Sequence, residues 1–142
     1  MAELRILFVC LHGAAKSVIA ATHCRRLAER RGLSVDATFA GTEPDAHIAP
    51  RVVKELLAEG IDVQGFRPRL VTSDDVASAA RIVTFGCDLA ALGPKVAVDR
   101  WDDVPAVSDC YEAAREAIDA RVARLVDELE AGRADVRAGA VE

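Results

Sequence analysis

Ile6-Leu7-Phe8-Val9, then Cys10-Leu11-His12-Gly13-Ala14-Ala15-Lys16-Ser17, then a helical stretch reaching Arg31: this opening decides the fold. The four apolar residues have the length and bulk of a buried strand. After the loop, Val18, Ile19 and Leu27 form an apolar side among small alanines, Arg25, Arg26, Glu29, Arg30 and Arg31 form a wet one, and Gly32 supplies a stop. Strand, loop and helix in that order begin a crossover to a parallel strand, so a sheet covered on both faces is expected.

The rest of the chain repeats the alternation. Leu33 to Ala40 alternates apolar and polar as a half-buried second strand. Gly41-Thr42-Glu43-Pro44-Asp45 is turn chemistry, and Pro50 opens a helix carrying Val53, Leu56 and Leu57 that Gly60 stops. Thr72-Ser73-Asp74-Asp75 reads as a capping box before a short helix, Arg81 to Phe85 as a third strand and Lys95 to Val98 as a fourth. Beyond the loop Trp101-Asp102-Asp103-Val104-Pro105, Asp109 with Glu112 caps a long helix bearing Ile118, Val122, Leu125, Val126 and Leu129. The expected fold is α/β, a three-layer αβα sandwich around a four-stranded parallel sheet, with one domain over residues 1–131 and a frayed tail over 132–142.

Composition narrows the function. The 142 residues carry a formal net charge of -5, which argues against a broad nucleic-acid face, since phosphate contacts need clustered Lys and Arg. No stretch approaches the roughly 18 to 20 apolar residues of a membrane span, and no leader pattern opens the chain, so no membrane partner and a cytoplasmic location are expected. Cys10, Cys24, Cys87 and Cys110 form neither a C-x-x-C pair nor a Cys/His cluster. No metal and no cofactor are therefore expected. At this length a core forms without disulfides, and free thiols suit a reducing compartment.

In open α/β sheets the ligand crevice lies outside the carboxyl ends of the strands, where Cys10 to Ser17 begins. Leu11, His12, Gly13, Ala14 and Ala15 can curl with their N–H groups inward, and a helix starts at the far end, so amides and helix dipole converge on a tetrahedral anion. A thiolate at that point is stabilised, which makes Cys10 a candidate nucleophile, with Lys16 reaching over the loop and Ser17 bonding the sulfur. The plain alternatives are a strand-end filler for Cys10 and a solvated charge for Lys16. His12 either tunes the loop's field or points to solvent. Trp101 is a packing residue, and with aromatics at 4% no pair of rings is visible to hold an aryl phosphate, so a small inorganic oxyanion is favoured.

Cys10, five residues, a basic residue and Ser17 resembles the C-x5-R-S anion loop of the low-molecular-weight protein tyrosine phosphatases and of the arsenate reductases that share their fold. Ala40-Gly41-Thr42-Glu43-Pro44, Glu59-Gly60-Ile61-Asp62, Val83-Thr84-Phe85-Gly86-Cys87 and Trp101-Asp102-Asp103-Val104-Pro105 follow in the order of the arsenate-reductase branch, so the likeness spans residues 5 to 130. It implies Cys10 as the nucleophile and Ser17 as the hydroxyl that steadies it. The family's Asp-Pro general acid is matched by Asp103, with Asp102 as second candidate, and Cys87 falls where thioredoxin-coupled reductases carry the thiol that resolves the loaded nucleophile.

Three positions depart from that pattern. The family's arginine is Lys16, which cannot make a planar fork to two oxygens. Its loop-bracing asparagine is Gly13, and the place for a second shuttle cysteine is Ala91. What the resemblance implies is arsenate or phosphate as partner, with release by Cys87, a small thiol or a thioredoxin-type reductant. An arsenate-reductase-like activity comes first, a low-molecular-weight cysteine phosphatase second, and an impaired oxyanion-binding or regulatory protein third.

Overall fold

The computed structural model describes residues 3–141, with side chains to residue 132. Four strands, β1 (Leu4–Cys10), β2 (Val35–Gly41), β3 (Arg81–Phe85) and β4 (Val98–Arg100), form one sheet in the order β2-β1-β3-β4, every pairing parallel. Three α-helices lie between strands, α1 (Lys16–Arg30), α2 (Pro50–Ala58) and α3 (Ser73–Ser78), and α4 (Tyr111–Val141) follows β4. The three-layer α/β sandwich is the architecture expected from the strand and helix alternation.

β1 is apolar throughout its buried part because both of its faces are covered. Ile6, Phe8 and Cys10 point to the side packed by α1, α2 and α4, while Leu7 and Val9 point to the smaller cluster with Val71, Val76, Ile82, Cys87 and Leu89. The chain leaves β1 first toward β2 and then crosses to β3 on the other side. A parallel sheet opens a crevice where its connections diverge in this way, and here that point lies at the ends of β1 and β3, where Cys10 pairs with Phe85.

The capping box is formed in both directions: Thr72 Oγ1 accepts from the Asp75 N–H at 3.2 Å, and Asp75 Oδ2 accepts from the Thr72 N–H at 2.8 Å. Several boundaries differ from expectation, those of β1 (Leu4 rather than Ile6) and β2 (Val35 rather than Leu33) among them. The fourth strand occupies Val98–Arg100 rather than residues 95–98, since its place is set by the ladder to β3 and by Arg81 donating to Asp99 at 2.8 Å. An apolar run on an edge strand does not report those partners. α4 opens at Tyr111, with Cys110 as its first acceptor (Ala114 N–H to Cys110 O, 3.1 Å), one residue later than an Asp109 cap would place it. Its backbone continues helical through Gly132 to Val141, where a tail was expected; the side chains of 133–142 lie outside the described residues.

Candidate active site

The loop between β1 and α1 is held open from behind. The carbonyls of Cys10, Leu11, His12 and Ala14 accept N–H groups of Thr42 (3.4 Å), Glu43 (2.7 Å), Asp45 (3.0 Å) and Ala49 (2.9 Å). In a trans peptide the carbonyl and the following N–H point in opposite directions. Four carbonyls fixed outward therefore turn the N–H groups of Leu11, His12, Gly13 and Ala15 inward. Among the described residues, no N–H from Leu11 to Ala15 has an acceptor in the protein. This concave row of donors, continued by the first turn of α1, has the geometry that could hold a tetrahedral anion.

Gly13 makes the curl possible. Its φ is +58°, and a Cβ there would lie 2.7 Å from the backbone nitrogen of Gly41. The reverse also holds, because a Cβ on Gly41 would lie 2.6 Å from the nitrogen of Gly13. The two glycines let the anion loop and the end of β2 touch backbone to backbone, in the place where the family's asparagine would act as a brace.

At the base of the loop Cys10 Sγ lies 3.0 Å from Ser17 Oγ, and both residues are buried. Lys16 takes a different position from the one expected: its Nζ donates to the carbonyl of Val104 at 2.9 Å, tying the start of α1 to the loop after β4. A cavity of about 640 Å³ opens above Cys10. The anion loop and Lys16 form its floor, Asp45 and Ala49 to Arg51 one wall, and Phe85 with Ala106, Val107 and Ser108 the other.

The structure does not bring Asp103 to this cavity. Its carboxylate is exposed and paired with Arg121 at 2.5 Å, while Asp102 accepts from the Gly86 N–H at 2.9 Å and from Arg100 at 3.2 Å. The cause is packing: Trp101, stacked edge-on against Phe85, and Val104 both turn into the core, which leaves the two aspartates between them facing out. Asp45, Arg51 and the 106–108 segment line the cavity instead, and sequence reading did not single them out. In the sequence Asp45 reads as turn chemistry, and Arg51 falls in the first turn of the Pro50 helix with no motif to mark it. Arg51 is held over the Tyr111 ring at 5.2 Å and donates to Glu55 at 2.8 Å.

The cysteines are unequal. Cys87 is buried on the opposite face, its Sγ 3.4 Å from the Val9 carbonyl; burial pushes its thiol up, and the neighbouring Cys10 acts in the same direction. Burial pushes the Cys24 thiol up to about 12, whereas Cys110 is exposed at the start of α4. Brief alkylation of the native protein, mapped by peptide mass, should label Cys110, label Cys10 more slowly when phosphate or arsenate is added, and spare Cys24 until the chain is unfolded. Among the described residues no cluster of three or more His, Cys, Asp or Glu could hold a metal, and no helix is long and apolar enough to cross a membrane.

The sequence profile of the low molecular weight phosphotyrosine protein phosphatases matches residues 5–134. The chain belongs to that family. Within it, the chain is 33% identical over 128 residues to a Halobacterium salinarum protein named "Putative arsenate reductase", covering 86% of this chain and 90% of that one. The low molecular weight phosphatase fold is also seen in solved structures. YfkJ from Bacillus subtilis superposes with a TM-score of 0.80 at 21% identity, over 93% of this chain and 98% of that one. The Corynebacterium glutamicum thioredoxin-dependent arsenate reductase Cg_ArsC1' gives 0.78 at 26% identity, over 92% of this chain and 63% of that one.

Proposed function

We propose that this protein performs cysteine-dependent oxyanion chemistry of the arsenate-reductase type. The observation that carries the reading is the Cys10 sulfur, 3.0 Å from the Ser17 hydroxyl, at the base of the inward-facing amides. The Ser17 O–H steadies the thiolate, and the amides hold the oxyanion's negative oxygens as charge builds. Sulfur attacks arsenic, the S–As bond forms, and an arsenate oxygen leaves as water after protonation. A second thiol then attacks Cys10 Sγ: the S–S bond forms, the S–As bond breaks, and its electron pair reduces As(V) to As(III). Cys87, a small thiol or a thioredoxin-type reductant fills that role. The 33% identical relative supports arsenate.

A second reading, a low molecular weight cysteine phosphatase, is favoured by one observation. A cavity of about 640 Å³ with Phe85, Pro50 and Val107 on its walls is far larger than an inorganic oxyanion. The test is turnover of arsenate with dithiothreitol, measured as arsenite, beside turnover of an aryl phosphate. Arsenite release that needs Cys10 is the expected result, and one equivalent should appear without added thiol if Cys87 resolves the adduct. Aryl phosphate hydrolysis alone would establish the second reading. A silent natural protein that Lys16→Arg activates would mark a binding protein whose cation had been diverted to Val104.

A further inference from the structure

We propose that His12, oriented by Asp45, is the proton donor to the leaving oxygen, in the role that the outward-facing Asp103 does not fill. This rests on the proposed function and specifies its first step. His12 Nδ1 lies 3.2 Å from the Glu43 carbonyl and 3.3 Å from Asp45 Oδ1. Both neighbours only accept hydrogen bonds, so Nδ1 carries a proton whether the ring is neutral or charged. Nε2 is therefore the ring nitrogen left without these partners and able to face a bound oxyanion. The Asp45 backbone is fixed beside the ring, since its N–H donates to the His12 carbonyl at 3.0 Å. A carboxylate that selects one tautomer and steadies the imidazolium leaves the other nitrogen to do acid–base work.

Elimination points to the same group. Cys10, His12, Lys16, Asp45 and Arg51 are the ionisable residues lining the cavity. Cys10 is the nucleophile, Arg51 does not give up its proton, and the Lys16 ammonium is held by the Val104 carbonyl. Asp45 faces the imidazole. His12 is left, two residues from the nucleophile on the loop that holds the oxyanion. In the step, sulfur forms its bond to phosphorus or arsenic, the bond to the leaving oxygen breaks, and its electron pair takes the Nε2 proton. His12 is then neutral, still donating through Nδ1, and Nε2 can remove a proton from the water that hydrolyses a phosphocysteine.

His12→Asn separates this role from bracing, because its amide nitrogen stands where Nδ1 stands and keeps a donor for Asp45 while Nε2 is lost. A general acid matters most when the leaving group is poor. For His12→Asn, kcat/KM on phenyl phosphate should fall by about 100-fold, while p-nitrophenyl phosphate, which departs without help, should lose less than about fivefold. Arsenate turnover should lose kcat with KM kept, and Asp45→Asn should shift the leaving-group dependence in the same direction. Equal losses on both aryl esters, or full activity in His12→Asn, would overturn the proposal while leaving Cys10 chemistry standing. No Cys10-dependent turnover of any substrate by the natural protein would overturn the proposed function and this inference with it.

Discussion

Gly13→Asn, which restores the residue the phosphatase family uses in this loop, is expected to damage the protein rather than repair it. The new Cβ would meet the Gly41 nitrogen at 2.7 Å and the Ala40 carbonyl carbon at 2.9 Å, and both are backbone atoms at the end of β2, held in its parallel ladder with β1. Neither can turn aside as a flexible side chain would. Asparagine tolerates the left-handed backbone better than most residues, so most of the cost is the collision, about 2–5 kcal/mol with the strain included. Gly41→Ala supplies the control. Its backbone is not left-handed, so it reports the collision alone, about 1–3 kcal/mol. Denaturant midpoints of the two variants check the figures, and phosphate binding should be lost in Gly13→Asn because the displaced loop no longer aims its amides at one point.

Cys10→Ser is the second large effect. Serine preserves the shape of the strand end and can still bond Ser17, so the fold and the amide cradle should survive. What disappears is a thiol, a softer and far stronger nucleophile toward phosphorus or arsenic than a hydroxyl. A serine hydroxyl needs a base to remove its proton, and the residue beside it is another hydroxyl, Ser17. The fall in arsenate or aryl phosphate turnover should be at least about 1000-fold, with phosphate still bound, since backbone amides provide the binding. Calorimetric phosphate titration beside a rate measurement separates the two quantities. Loss of binding along with rate would mean that the sulfur shapes the loop, and a small loss of rate would remove Cys10 as nucleophile.

The features legible in the sequence were those that neighbouring residues determine. An apolar strand, a loop of small residues and an amphipathic helix specify the anion cradle within one continuous segment, and Thr72 with Asp75 specifies a helix cap over four residues. The features that escaped depend on distant contacts. Whether Asp103 faces the site turns on Trp101 packing against Phe8 and Phe85 from two other strands. Asp45 and Arg51 become cavity residues only because the segment after β2 folds back against the loop after β1. Lys16, expected in the loop and reaching over it, instead opens α1, and its partner, the Val104 carbonyl, lies 88 residues away. The role of Gly13 was visible only as a missing side chain; its reason is Gly41, contributed by the next strand.

The four hydrogen bonds from Thr42, Glu43, Asp45 and Ala49 to the loop carbonyls also carry a dynamic consequence. Those amides can exchange with solvent deuterium only when the segment lifts away, and lifting it frees the carbonyls that aim the cradle. The two segments should therefore open as one cooperative unit. An oxyanion seated on the inner N–H groups would then slow exchange at residues 42–49, although it touches none of their amides. Deuterium uptake there becomes a gauge of site occupancy that needs neither turnover nor a chromophore.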